Sequence, residues 1–359
     1  MTDWRTSVMK GHRLPPVLGT FALGALGGLA GWAVGLPLGV LLGSMLTVAA
    51  CAVAGLRMWG ALPGVPQHWR YALVPVIGVA IGASVPPDIA IQALHWWPSL
   101  LAVCAFVPVA HWASFQLYRR MGGVDAGTAY FAAMPGGFIE ALEMAEERKA
   151  EMQMVIMLQF LRLILCIVLV PLTFALVTGH SVGSGSGVEM PGADVPLLPF
   201  DVAVLVGAAV FGYWGAHRLN FPAAVLSGPL LLSGLAHAVG LTAATPPDWA
   251  IVITQWVVGT TLGTRFAGLA LPRLVLAMRL SLAAIAVSLA LAVGIAVLLA
   301  GPVGEPASAV ILAFAPGGIS EMALVAISLQ MSAVYVTLHH LLRIVLAVLV
   351  ARAGLRFIG

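Results

Sequence analysis

Two carboxylates and two guanidinium groups sit where an otherwise apolar chain should carry no charge. Glu140 follows Pro135-Gly136-Gly137 in the stretch AAMPGGFIEALE, residues 132–143, and Glu321 follows Pro316-Gly317-Gly318 in AFAPGGISEMAL, residues 313–324. Arg162 and Arg343 come later, each well inside the next apolar run, 152–177 and 334–351. Proline removes a backbone donor and paired glycines allow a sharp turn. In hydrocarbon the freed backbone groups are costly unless protein or water satisfies them, so each break implies a lined cavity or a site buried in protein. The helix that restarts at Phe138 or Ile319 turns unpaired N–H groups and a partial positive charge toward the break. With Gly137 or Gly318 as cap, the glutamate takes the third helical position, from which a carboxylate reaches back to the cap.

Two chemistries fit these residues. In one, the glutamates cap half-helix ends and pair with the arginines in a structural clasp, because charges inside a membrane are expensive and usually paired. In the other, the four groups form or gate a substrate site and the glutamates carry a coupled proton. Desolvation raises a carboxyl pKa and a nearby arginine lowers it, so the net sign stays open. Gln159 and His340 precede the arginines by three residues, on a neighbouring helix face, and are further candidates for the substrate or ion site, with hydrogen-bonded packing the expectation for the histidines, His339 included. Thr128, Ser320 and Thr337 are polar positions able to line the same cavity. Cys51, Cys104 and Cys166 lie in apolar stretches without metal spacing and read as small core residues. Neither a metal nor a cofactor is expected.

The elements that hold these groups must be membrane helices. Of 359 residues 61% are hydrophobic and 9% charged, with mean hydropathy +1.03, more apolar surface than a soluble domain hides. A crossing takes roughly 20 apolar residues. Apolar runs lie near 17–34, 37–56, 71–86, 96–118, 152–177, 201–216, 222–241, 250–264, 279–300 and 334–351, with broken segments at 124–142 and 305–327. The first run follows Arg5, Lys10 and Arg13 without a clear cleavage site and reads as a retained helix. If each broken segment enters and leaves on one side, the cations other than Arg162 and Arg343 fall inside and the outer loops hold Asp88, Glu189, Asp194, Asp201, Asp248 and Glu305 without Lys or Arg. Counting both broken segments as full crossings puts Arg218, Arg265, Arg273 and Arg279 outside, against the positive-inside rule. A variant in which the broken segment crosses and another segment of the same half does not keeps the same parity. The charged run 143–152 reads as a solvated helix end.

The chain also matches itself. A shift of 181 positions superimposes the two Pro-Gly-Gly triplets, Gly78 on Gly259, Gly82 on Gly263, Gly123 on Gly304, Glu140 on Glu321, Gln159 on His340 and Arg162 on Arg343. Nearer the start of each half the shift is 185, with Pro37 on Pro222, Val40 on Val225, Gly43 on Gly228 and Gly55 on Gly240. The Gly/Ser/Pro-rich stretch 178–199 reads as a periplasmic linker. An odd number of crossings per half turns the second copy over, a layout common in secondary transporters. Gly27, Gly31 and Gly35, like Gly78/Gly82 and Gly259/Gly263, have the spacing of close helix packing. The expectation is an all-α polytopic membrane protein: a tail 1–16, a first repeat 17–177, the linker, an inverted repeat 200–352 and a tail 353–359. Each repeat has about five transmembrane helices plus one broken re-entrant or crossover segment.

The duplicated MPGGFIEALEMA and APGGISEMALVA stretches, with Arg162 and Arg343 following, resemble the AbrB family of bacterial membrane proteins over roughly 19–352. Older labels for that family include ammonia monooxygenase and regulator of aidB expression, and it is unrelated to the small DNA-binding regulator of the same name. The resemblance implies an inner-membrane protein with a duplicated domain and a layout like that of transporters with crossed broken helices. It supplies no catalytic residues.

Three functions compete. The first is a secondary transporter or exporter of a small solute. Half-helix N-termini and two arginines favour a small organic anion coupled to a proton, and the two glutamates keep an uncharged or amine solute in play. The second is a membrane regulator or sensor acting on gene expression indirectly, because the cytosolic loops are too short to hold a DNA-binding module. The third, a monooxygenase subunit, needs metal ligands at workable spacing, whereas His339 and His340 are adjacent and point to different helix faces. The expectation is therefore not an enzyme. Its partners would be the bilayer, a small-molecule substrate, a coupling proton and a second copy of itself, without direct nucleic-acid contact. It would sit in the inner membrane with both termini cytoplasmic.

Overall fold

The computed structural model describes residues 13–66, 68–86, 88–178 and 195–355. The expected terminal tails and the linker 178–199 lie mostly outside them. Among the described residues there is no strand; the elements are α1 (Leu14–Ala33), α2 (Gly39–Val53), α3 (His68–Ala83), α4 (Ile89–Ala93), α5 (Trp97–Gly122), α6 (Ala126–Ala133), α7 (Phe138–Glu147), α8 (Met152–Thr178), α9 (Pro199–Arg218), α10 (Ala224–Ala238), α11 (Asp248–Gly263), α12 (Leu271–Val303), α13 (Ala307–Phe314), α14 (Ile319–Ser328) and α15 (Ala333–Gly354).

Six of these, α1, α5, α8, α9, α12 and α15, are long and apolar enough to cross a membrane by length and composition. The other four runs expected to cross, now α2, α3, α10 and α11, have 15 or 16 residues. At 1.5 Å per residue they reach about 24 Å, short of a hydrocarbon core about 30 Å thick. For α2 and α10 the cause is local. Left-handed backbone at Leu38 and Ala223 delays each start, and at Gly55 and Gly240 it ends each helix early.

The bounds repeat as the sequence does. Shifted by 185, α1 falls on α9 and α2 on α10; shifted by 181, α6 falls on α13 and α7 on α14. The unusual backbone follows the same register. Positive φ recurs at Leu38 and Ala223 and at Gly55 and Gly240, then at Gly123 and Gly304 and at Lys149 and Gln330. Non-glycine residues in this region carry strain, so its recurrence marks turns that both halves need.

The chain divides into two compact units, each built from both sequence halves. The first comprises the described parts of Met1–Val85, Pro171–Ala270 and Ile327–Leu329. Glycine sets its packing. Gly27 and Gly43 bring α1 onto α2, and Gly212 and Gly228 bring α9 onto α10, so close that an added Cβ would strike the facing backbone. Across the halves, Gly78 and Gly82 of α3 face the carbonyls of Leu226 and Leu230 on α10, while Gly259 and Gly263 of α11 face those of Leu41 and Met45 on α2. These are equivalent residues making one contact twice, with the halves exchanged. Gly35, grouped by spacing with Gly27 and Gly31, does not pack; it is a turn residue at φ +71 with open space beside it.

The second unit comprises Pro86–Val170, Leu271–Ala326 and the described part of Gln330–Gly359. Here α5 packs on α12 and on α15, and α12 and α15 each pack on α13. Both Pro-Gly-Gly breaks, both arginines and both glutamates belong to this unit.

Candidate functional site at the paired helix breaks

Each broken segment is two short helices joined by the Pro-Gly-Gly turn. In the first, Asp125 caps α6 by accepting the Thr128 N–H at 3.0 Å. The helix stops at Ala133 because Pro135 follows, and α7 restarts after Gly137 at φ +67. Tyr130, Phe131 and Met134 of the first arm share a buried cluster with Ala141, Met144 and Ala145 of the second. At the far end the Glu151 N–H donates to the Thr128 hydroxyl at 2.8 Å. The start of α6 and the residues after α7 therefore lie side by side.

Arg162 reaches the open carbonyl end of α6. Its Nη1 donates to the Ala133 carbonyl at 3.3 Å, and its Nη2 donates to the Met134 carbonyl and, at 2.7 Å, to Gln159 Oε1. Gln159 Nε2 in turn donates to the Phe131 carbonyl at 2.8 Å. The second break repeats this with different side chains. Arg343 donates to the Ala315 carbonyl and, at 2.8 Å, to that of Gly317. His340 Nε2 lies 3.0 Å from the Leu312 carbonyl. A carbonyl only accepts, so Nε2 carries the hydrogen and Nδ1 is free to accept from Arg343 Nη2 at 3.4 Å. Phe131 and Leu312, Met134 and Ala315, Gln159 and His340 are all partners under the 181 shift.

The glutamates work at the opposite pole. A Cβ added to Gly137 would meet Glu140 Oε2 at 3.3 Å, and one on Gly318 would collide with the Glu321 carboxylate. Both side chains thus fold back toward their cap glycines, where negative charge offsets the N-terminal dipole. The break is bipolar: arginine covers the carbonyl end, glutamate the N–H end. Glu321 is fully buried, whereas Glu140 is partly exposed.

The two breaks converge. Gly136 lies against Ile344 and Ala347 and Gly137 against Val348, all on α15, while Gly318 lies against Leu163 on α8. Each turn therefore touches the arginine-bearing helix of the other half. Arg162 and Arg343 are within electrostatic reach of one another, and Cys166 is within reach of both. Pro135, Pro316 and Gly317 are buried, as is Ser320 in the first turn of α14. Thr128 serves the base of the first hairpin, and Thr337 is buried on α15.

Three polar residues near this site escape sequence reasoning. Tyr118, fully buried near the end of α5, has its hydroxyl against Arg162; beside Arg119 and Arg120 at the end of an apolar run, it carries no sequence signal that points inward. His111 bonds the Tyr130 carbonyl at 2.9 Å, and the Tyr130 hydroxyl donates to the Ala351 carbonyl at 2.9 Å, tying the first hairpin to α15. His339 is a packing histidine bonded to the Ser99 hydroxyl at 2.8 Å. Among the described residues no three His, Cys, Asp or Glu side chains cluster as a metal site requires.

A family model described as "Transition state regulatory protein AbrB" matches residues 40–359. The chain is 24% identical over 360 residues to "Uncharacterized protein YhjN" of Bacillus subtilis (strain 168), covering 94% of this chain and 92% of that protein. It is 23% identical over 329 residues to "Putative regulator AbrB" of Escherichia coli (strain K12), covering 91% and 92%.

Proposed function

This chain belongs to the AbrB family, and we propose that it is a secondary transporter in which two inverted-topology repeats carry a small solute by alternating access past their paired breaks. The observation that carries this reading is the duplicated, arginine-held break: two interrupted helices inside one unit, each turn lying against the other half's charged helix. Interrupted helices at a repeat interface are how transporters expose backbone and charge to a substrate at membrane depth. Contacts between halves support the inversion. The proposed topology puts the start of α8 and the start of α12 on the cytoplasmic face, and Glu151 and Arg273 there are joined at 2.5 Å. It puts the first turn of α5 and the first turns of α15 near the opposite face, and Ser99 meets His339 there. The hydrogen bond between Thr128 and Glu151 supports a re-entrant first hairpin. In this reading the protein is a multi-pass inner-membrane protein with both termini cytoplasmic.

A thermal-shift screen of small metabolites against wild type and the Arg162→Ala and Arg343→Ala variants identifies the cargo. Proteoliposome flux of the hit then tests transport. Flux abolished by either substitution in folded protein is the expected result; undiminished flux in both would reduce the arginines to structural caps.

Regulation is the second reading, favoured by the names of the family model and of the E. coli relative. It would act indirectly, through what the protein moves or senses.

A further inference from the structure

The arginines hold more hydrogen-bonding capacity than the helix ends consume. Arg162 and Arg343 are 5% and 4% exposed, and the Nε–H of each is buried without a hydrogen-bond partner among the described residues. The Tyr118 hydroxyl, also buried, rests against Arg162. Arginine only donates, so the phenol proton is left without an acceptor as well. Three donors in one neighbourhood therefore lack acceptors, which is rare for buried polar groups in a native structure.

Charge points the same way. A half-helix C-terminus carries roughly half a negative charge, so two of them neutralise about one of the two positive charges. The groups within electrostatic reach of the pair include His111, Tyr118 and Cys166, and none of these is a carboxylate. The glutamates are engaged at the N–H ends of the breaks. At the arginine poles alone about one positive charge and three donors remain for something else; the matching negative excess, about half a charge per glutamate, lies at the N–H poles.

We infer that this neighbourhood binds a small monovalent oxyanion, of the carboxylate class, through the Nε–H groups of Arg162 and Arg343 and the Tyr118 hydroxyl. A carboxylate supplies one negative charge and about four acceptor positions on two oxygens, and a planar guanidinium matches it better than it matches a halide. A divalent anion would leave an uncompensated buried negative charge. The inference rests on reading the breaks as the substrate site of a transporter, and it names the substrate class.

The test uses the purified full-length chain in detergent, with thermal unfolding followed while sodium acetate replaces sodium chloride at constant ionic strength. Sodium bicarbonate, nitrate and sulfate serve as parallel arms. Saturable stabilisation by acetate over chloride, with little from sulfate, is the expected result. Arg162→Lys and Arg343→Lys keep the positive charge but lose the Nε–H, and each should weaken acetate about tenfold or more. Tyr118→Phe removes a single hydroxyl and tests the site should a lysine variant fail to fold; it should weaken acetate as well. No saturable response of wild type to acetate, bicarbonate or nitrate would overturn the inference, as would an unchanged acetate response in Tyr118→Phe and the folded lysine variants. Flux of labelled acetate into proteoliposomes separates the two levels. Acetate binding without flux upholds the anion site and removes transport; flux of an uncharged solute by a protein without anion binding overturns the anion site alone.

Discussion

Gln159 and His340 are chemically different side chains in equivalent roles. Each donates to a hairpin carbonyl and accepts from the arginine one turn further on. Replacing His340 by Gln should therefore leave thermal stability close to wild type, whereas His340→Leu should cost about 1–3 kcal/mol by stranding a buried carbonyl and a guanidinium N–H. Denaturant unfolding in detergent measures both, and equal losses in the two variants would contradict the assigned hydrogen bonds. Arg162→Ala and Arg343→Ala should each cost about 3 kcal/mol or more, because the carbonyl ends of α6 and α13 lose their only charged cover among the described residues. The sequence made the depth and the duplication of these arginines legible. It did not show what they hold. Backbone carbonyls have no letter in a sequence, so the visible carboxylates Glu140 and Glu321 looked like the natural partners, whereas the arginines cover the opposite pole of each break.

At the scale of elements, glycine spacing foretold close packing but not the facing helix. Gly78/Gly82 and Gly259/Gly263 were recognisable as pairs, yet each packs on a helix of the other half, a long-range pairing that no local pattern encodes. Gly43→Ala and Gly228→Ala should each destabilise by roughly 1–3 kcal/mol, since the new methyl meets the backbone of Gly27 or Gly212. Gly294→Ala and Gly301→Ala in α12 meet nothing within 4 Å and should be neutral or stabilising by up to about 1 kcal/mol. Parallel thermal unfolding of the four variants checks this, and a loss at Gly294 as large as at Gly43 would contradict it. Asp125→Ala removes the cap of α6 and should cost about 1 kcal/mol.

At the scale of the whole molecule, the sequence halves and the spatial units divide the chain differently. Each unit takes its helices from both halves, because each copy makes its contacts with the other: α3 with α10, α2 with α11, and each hairpin turn with the opposite arginine helix. Exchanged contacts of this kind are what a two-fold relation between copies produces, and an odd number of crossings per copy would lay that axis in the membrane plane. Orientation in a bilayer is therefore the claim on which both the transporter reading and the anion site's access depend. Single-cysteine labelling in intact cells and inside-out vesicles tests it directly, after Cys51, Cys104 and Cys166 have been replaced by Ser. Cysteines at positions 125 and 150, flanking the first hairpin, should both react from the cytoplasmic side, and those at 305 and 331, flanking the second, both from the other. Positions 125 and 150 reacting from opposite sides, or all four reacting from one side, would contradict the account.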